Sequence, residues 1–139
     1  MLNSHFQFVL VDDHQQVRKA LRQLIENNPL YRVVAEYGDG KKALEEAPGL
    51  KPDVMIVDIN MKPMSGFEVT ESVLKVNPEM KIICLSVKNE PVYAKRMLAL
   101  GAKGYITKST PVEEIMQAVD EVCQGKTYIC NEIRQKMEG

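Results

Sequence analysis

Four short apolar runs in this chain each end on a residue able to do chemistry. Phe8-Val9-Leu10-Val11 runs into Asp12-Asp13, Val54-Met55-Ile56-Val57 into Asp58, Ile82-Ile83-Cys84-Leu85 into Ser86, and Tyr105-Ile106-Thr107 into Lys108. A carboxylate at the end of a buried strand is exposed at the edge of a sheet. If the first and third strands are neighbours, Asp12, Asp13 and Asp58 form a cluster whose mutual repulsion calls for a cation. Hard oxygen ligands in a shallow, hydrated site suit Mg²⁺, which takes one or two carboxylates and completes its shell with water and phosphate oxygens. Asp58 beside such an ion is prepared as a nucleophile toward phosphorus, because carboxylates form acyl phosphates. Phosphoryl transfer needs charge neutralisation and positioning more than proton removal. Lys108 supplies a compact positive charge opposite the metal, and Ser86 a hydroxyl donor to the same group.

These residues need elements that bring them to one edge. Strands are expected near 7–11, 32–37, 53–57, 82–86 and 104–107, with amphipathic helices near 14–27, 40–47, 66–76, 91–100 and 111–124. Val17, Ala20, Leu21, Leu24 and Ile25 share one face of the first helix, which Asn27-Asn28-Pro29 stops. Val112, Ile115, Met116, Val119, Val122 and Cys123 repeat at helical spacing in the last. Thr110-Pro111-Val112-Glu113 reads as an N-cap, a proline at the first helical position and a Glu closing a capping box, with Gly125 as the stop. Strands alternating with helices imply a parallel sheet with right-handed crossovers, its strand C-termini lining one edge. Ligands of such sheets bind at that edge.

At 139 residues the chain fits one domain, able to bury roughly two-thirds of its unfolded surface. Its 18 basic and 19 acidic residues give a net charge of −1 with no long basic block, which argues against direct nucleic-acid binding by this segment. Cys84, Cys123 and Cys130 lack CxxC spacing and read as reduced thiols. No signal-peptide pattern and no membrane-spanning run is present. A cytoplasmic protein without a membrane partner is expected. One folded unit is expected over 1–126, and 127–139 as a C-terminal tail or the start of a linker to a further domain.

Each residue has a plainer alternative. Asp13 could cap the first helix, Ser86 could start a loop, Lys108 could be a solvated surface charge, Asp58 could be a turn former and Tyr105 a core residue. Coincidence at four neighbouring strand ends favours the joint reading. One competing motif is Gly38-Asp39-Gly40-Lys41-Lys42-Ala43, which fits GxGxxA and has Asp58 about twenty residues later, as in a dinucleotide site. It follows the second strand rather than the first and leaves little chain for a substrate domain, so it reads as a tight turn.

Taken in order, Val11-Asp12-Asp13-His14, Asp58-Ile59-Asn60-Met61, Gly66, Leu85-Ser86 and Gly101-Ala102-Lys103-Gly104-Tyr105-Ile106-Thr107-Lys108 resemble the receiver domain of bacterial two-component response regulators, from Phe8 to about Gln124. The resemblance implies a flavodoxin-like α/β fold, a doubly wound five-stranded parallel sheet of order 2-1-3-4-5 with five helices. It implies that Asp58 accepts a phosphoryl group from the phosphohistidine of a histidine kinase or phosphotransfer protein. Asp13, Asp58 and the backbone carbonyl of Asn60 would bind Mg²⁺, with Asp12 assisting through water. Ser86 and Lys108 would contact the phosphoryl oxygens, and Tyr105 would change rotamer as Ser86 moves.

A second copy or another partner would then dock on the surface of the fourth helix, fifth strand and fifth helix. The Arg18 and Leu21 spacing and Gly125-Lys126-Thr127-Tyr128 look most like the subfamily carrying a C-terminal LuxR-type helix-turn-helix domain. Two departures stand out. The family usually has Pro four residues after the acceptor, where this chain has Lys62 followed by Pro63, and often Pro after its lysine, where this chain has Ser109. Two other functions share the site: a phosphatase or phosphotransferase with Asp58 as nucleophile, and an interaction module independent of phosphorylation. The first typically wants an acid where Asn60 stands.

Overall fold

Val54, Met55, Ile56 and Val57 are wholly buried, and the sheet is built around them. The computed structural model describes residues 5–138, so residues 1–4 and 139, at the outer ends of the expected domain and tail, lie outside the described residues. The chain runs β1 (Phe6–Val11), α1 (Gln15–Glu26), β2 (Tyr31–Tyr37), α2 (Gly40–Leu50), β3 (Val54–Val57), α3 (Gly66–Val76), β4 (Lys81–Ser86), α4 (Pro91–Leu100), β5 (Gly104–Thr107), α5 (Val112–Cys123), β6 (Tyr128–Ile129) and α6 (Asn131–Glu138). All strand pairs are parallel, in the order β2-β1-β3-β4-β5-β6. A strand buried on both faces has no polar side to alternate with, so β3 reads as a continuous apolar run. This is the flavodoxin-like strand order expected from the resemblance, extended by β6.

Register carries the chemistry to one place. Val11 lies opposite Val57, and the Asp58 N–H donates to the Val11 carbonyl at 2.9 Å. Asp12 and Asp58 therefore leave adjacent strands side by side. Ser86 pairs with Thr107, and the Lys108 N–H donates to the Ser86 carbonyl at 2.9 Å, so Lys108 leaves the sheet one step beyond Ser86. At Gly66 an added Cβ would overlap the Asp58 carbonyl, so the start of α3 can press against the acceptor strand only without a side chain. Ser65 and Glu68 close a full capping box there.

Among the described residues the fold has six strands and six helices, not the expected five and five. After Gly125, at φ +89°, the chain turns back along β5. Tyr128 N–H donates to the Lys103 carbonyl at 2.9 Å and Cys130 N–H to the Tyr105 carbonyl at 3.0 Å. Tyr128, Cys130 and Ile133 bury their side chains. Those apolar residues, in a segment expected to be a C-terminal tail or the start of a linker, convert an open sheet edge into a covered one, which removes unpaired backbone donors and acceptors.

Two smaller expectations fail. Helix α2 continues through Pro48 to Leu50 and ends on left-handed Lys51 instead of stopping near 47. The Thr110 hydroxyl does not cap α5, because it accepts from the Thr107 N–H at 3.1 Å. Pro111 takes the cap position without a side-chain hydrogen bond. Glu114, on the first turn of α5, accepts from the Asn131 N–H at 2.6 Å and the Tyr128 hydroxyl at 2.8 Å. The glycine motif is structural: Asp39 caps α2 by accepting from Lys42 N–H at 2.8 Å, and a Cβ at Gly40 would strike Val69. A capping carboxylate at that helix start repels the pyrophosphate a dinucleotide would place there.

Candidate functional site

Asp12 and Asp58 are 3% and 2% exposed, although both are carboxylates. Burial of that kind is costly unless the charge is paired and hydrogen-bonded. Lys108 answers both: its Nζ lies 3.0 Å from Asp12 Oδ2 and 3.2 Å from Asp58 Oδ2. The other oxygens are also engaged. Asp58 Oδ1 accepts from the Asn60 N–H at 3.2 Å, and Asp12 Oδ1 from the His14 N–H at 2.8 Å. The Asp12 carbonyl accepts from the Arg18 guanidinium, which is itself paired with Glu36 at 3.1 Å.

The electrostatics are unequal. Burial first, and the neighbouring Asp12 charge second, push the Asp58 carboxyl above the ordinary range against the Asn60 N–H and Lys108. For Lys108, burial favours the neutral amine, but the Asp12 and Asp58 carboxylates outweigh it and raise the ammonium. One positive charge is thus divided between two buried negative ones. Ligand atoms of Asp12, Asp13, His14 and Asp58 all lie within 4.8 Å of one another. Asp13 is exposed, with its Oδ1 3.1 Å from His14 Nδ1.

The donor set suits a hard divalent cation. The excess negative charge is borne by oxygens, and Asp13 and His14 form an open rim where water can complete a shell. Beside that rim runs a groove of about 600 Å³ lined by Asp13, Asn60, Met61, Lys62, Phe67 and Arg96. The peptide between Lys62 and Pro63 on this loop is cis.

The structure brings Asp12, Asp13, Asp58 and Lys108 into one cluster, with Asn60 on Asp58 by its backbone. Ser86 and Tyr105 form a second group. The Ser86 hydroxyl, wholly buried, accepts from the Lys88 N–H at 3.1 Å, and the Tyr105 hydroxyl donates to the Lys88 carbonyl at 2.7 Å. Tyr105 is fully buried, and burial drives its phenol upward. Sequence reasoning assigned no role to His14, whose Nδ1 lies 3.0 Å from Asp12 Oδ1. Its place directly after two acids was the available signal. Arg18, noted only for its spacing, anchors the Asp12 backbone.

The family model described as the response regulator receiver domain matches residues 8–120. The chain is 35% identical over 123 residues to the transcriptional regulatory protein DegU of Brevibacillus brevis, covering 88% of this chain and 52% of DegU. It is 34% identical over 130 residues to the nitrate/nitrite response regulator NarP of Escherichia coli, covering 94% of this chain and 60% of NarP. The chain therefore spans just over half the length of the curated relatives it matches. Among solved structures, a LuxR-family two-component response regulator from an Aurantimonas species superposes with a TM-score of 0.92 at 30% identity, covering 97% of this chain and 96% of that one. The isolated receiver domain of RcsB from Salmonella enterica serovar Typhimurium, solved with the phosphomimetic BeF3⁻, gives 0.89 at 23% identity over 95% of this chain and 98% of that one, a likeness of fold.

Proposed function

The chain belongs to the response regulator receiver-domain family, a family of signalling domains, and from that premise we propose that Asp58 is its phosphoacceptor. The observation that carries this reading is a buried Asp58 at the end of the central strand with the Lys108 ammonium 3.2 Å away. The donor is the phosphohistidine of a histidine kinase or phosphotransfer protein. An Asp58 oxygen bonds to phosphorus, the phosphorus–nitrogen bond breaks, and its electron pair returns to the donor's ring nitrogen. The apolar groove of about 510 Å³ between α1 and α5, lined by Leu21, Leu24 and Ile115 and reaching Lys108, offers that donor a surface.

Asp13, Asp58 and the Asn60 carbonyl would hold Mg²⁺, with Asp12 assisting. When bound, the ion neutralises charge on the phosphoryl oxygens. Lys108 favours the ionised form of Asp58 before transfer and pairs with the phosphoryl group after it. The Ser86 hydroxyl, which accepts from the Lys88 N–H, donates its own O–H to a phosphoryl oxygen, and Tyr105 changes rotamer as Ser86 moves. The modification adds about −1.5 to −2 charge at one point and shifts the balance between two arrangements of the α4–β5–α5 face. A second copy or another partner docks there. The domain also hydrolyses its own aspartyl phosphate.

The receiver domain is read over residues 1–126, and 127–139, whose β6 and α6 pack against it, lead toward an output domain that acts on transcription, as the length and names of the relatives suggest. Among the described residues no helix is long and apolar enough to cross a membrane. The buried free thiols of Cys84, Cys123 and Cys130 fit a reducing cytoplasm, and the net charge of −1 fits a segment that does not itself bind nucleic acid. Intact-mass measurement after incubation with acetyl phosphate tests the chemistry. One phosphoryl mass should appear with Mg²⁺ and not with chelator. Gain of that mass in chelator, or none in either, defeats the reading.

A further inference from the structure

The reach of Lys108 is set by a loop whose hydroxyls are tied to a single carboxylate. Glu132, on α6, accepts at Oε1 from the Thr107 hydroxyl at 2.7 Å and the Ser109 hydroxyl at 3.1 Å, the residues on either side of Lys108. The Thr110 hydroxyl, which accepts from the Thr107 N–H, lies 3.0 Å from Thr107 Oγ1 and extends the chain by donating to it. Thr107 and Thr110 are buried, where a hydroxyl without a partner is costly, and hydrogen bonds in a chain strengthen one another. The Thr107 bond, first among the causes, holds the Glu132 carboxyl below its ordinary range, so the acceptor is charged and its bonds are of the stronger kind. Its Oε2 accepts from Asn89 Nδ2 at 3.1 Å, which fixes the plane of the carboxylate. Cys130 and Ile133, wholly buried, seat the segment that carries Glu132.

We propose that Glu132 is a positioning residue for Lys108, holding the loop so that the ammonium reaches the reacting group at position 58. The inference rests on the reading of Asp58 as phosphoacceptor with Lys108 as its cation. Lys108 is followed by Ser109 and not by proline, so nothing in the covalent chain restricts its backbone. The main chain supplies two bonds, the Lys108 N–H on the Ser86 carbonyl at 2.9 Å and the Thr110 N–H on the Thr107 carbonyl at 3.0 Å. Neither engages Ser109. With Oε1 on both neighbours, the stretch 107–109 is held on each side of the lysine, and Nζ stands 3.0 Å from Asp12 Oδ2 and 3.2 Å from Asp58 Oδ2. Glu132 touches the loop and not the reacting atoms, so its role is the same whether Lys108 faces a carboxylate or a phosphoryl group. Misplacing an orienting group by about 1 Å can cost about 100-fold in rate. The flexible lysine stem recovers part of that, so losing the anchor slows transfer without abolishing it.

Two readings on the whole chain test this: the initial rate of phosphorylation by acetyl phosphate in saturating Mg²⁺, followed by intact mass, and the ¹⁵N signal of the Lys108 ammonium in chelator. Glu132→Ala should slow transfer about tenfold and move or broaden the Lys108 signal. Glu132→Gln keeps an oxygen acceptor for Thr107 and Ser109 and should recover most of both. Ser109→Ala, at an exposed position that leaves the core untouched, should slow transfer less and move the signal the same way. Arg134→Ala frees the Ile129 carbonyl and so loosens α6 without touching the Lys108 loop; it should leave both readings unchanged. Rates within about twofold of wild type in both Glu132→Ala and Ser109→Ala, or an unmoved Lys108 signal, overturn the positioning role alone. So does a Glu132→Gln or an Arg134→Ala as slow as Glu132→Ala. Absence of any phosphoryl mass in wild type overturns the phosphoacceptor reading and this inference with it.

Discussion

Replacing Lys108 by Met tests whether one ammonium holds two buried carboxylates in place. Its Nζ lies 3.0 Å from Asp12 and 3.2 Å from Asp58, and both acids are nearly inaccessible. Removing one partner of a buried ion pair typically costs about 3–5 kcal/mol, because the other charge stays buried and unpaired. Here the Lys108 side chain keeps 15% of its exposure, and the Asp13–His14 rim is open to water, which lowers the expected loss to about 2–3 kcal/mol. For a chain of this length that is a fall of roughly 8 °C in Tm. Urea unfolding in chelator measures it. Adding Asp58→Asn to Lys108→Met should recover at least about half the loss, because one of the two orphaned charges is gone. Saturating Mg²⁺ should recover much of it in the single variant, since a ligand of the folded state stabilises that state by mass action. A single variant within about 0.5 kcal/mol of wild type in chelator, or a double variant no more stable than the single, refutes the reasoning.

Other perturbations follow from the same geometry. Because the Asp58 carboxyl is raised in the folded state from its ordinary 3.8, the folded chain holds that proton more tightly than the unfolded one. Its stabilising contribution is present below the ordinary value and lost as pH rises through the raised one. In chelator, Asp58→Asn should therefore gain stability relative to wild type as pH rises above 3.8, and a difference that shrinks over that range contradicts the assignment. Gly66→Ala should cost about 1–3 kcal/mol in urea unfolding, because its methyl meets the Asp58 carbonyl, and should slow phosphorylation by acetyl phosphate. Tyr105→Phe should cost about 1 kcal/mol by leaving the Lys88 carbonyl without its buried donor, and calorimetry would register it.

The central sheet and the acidic cluster were legible in the sequence for a physical reason. Strands buried on both faces appear as unbroken apolar runs, and the residue that follows each run must emerge at the same edge. Asp12, Asp58 and Lys108 could be brought together from local pattern and the topology of parallel sheets. Ser86 and Tyr105 were found as residues, but not their common attachment to Lys88, which depends on the path of a loop. The β6–α6 segment was missed because a two-residue strand has no period to detect. What holds it is long-range: Cys130 on the Tyr105 backbone and Glu132 on Thr107 and Asn89. Thr110 misled for a related reason, since a hydroxyl at the start of a helix has competing backbone donors, and here it accepts from the Thr107 N–H.

Borohydride reduction of the phosphorylated chain, followed by peptide mass spectrometry, tests the central claim most directly, because it converts an aspartyl phosphate to homoserine at the modified position. Homoserine should appear at position 58 after incubation with acetyl phosphate and Mg²⁺, and nowhere in Asp58→Asn. Homoserine at position 12 or 13, or unmodified Asp58 in a chain that has gained a phosphoryl group, would contradict it.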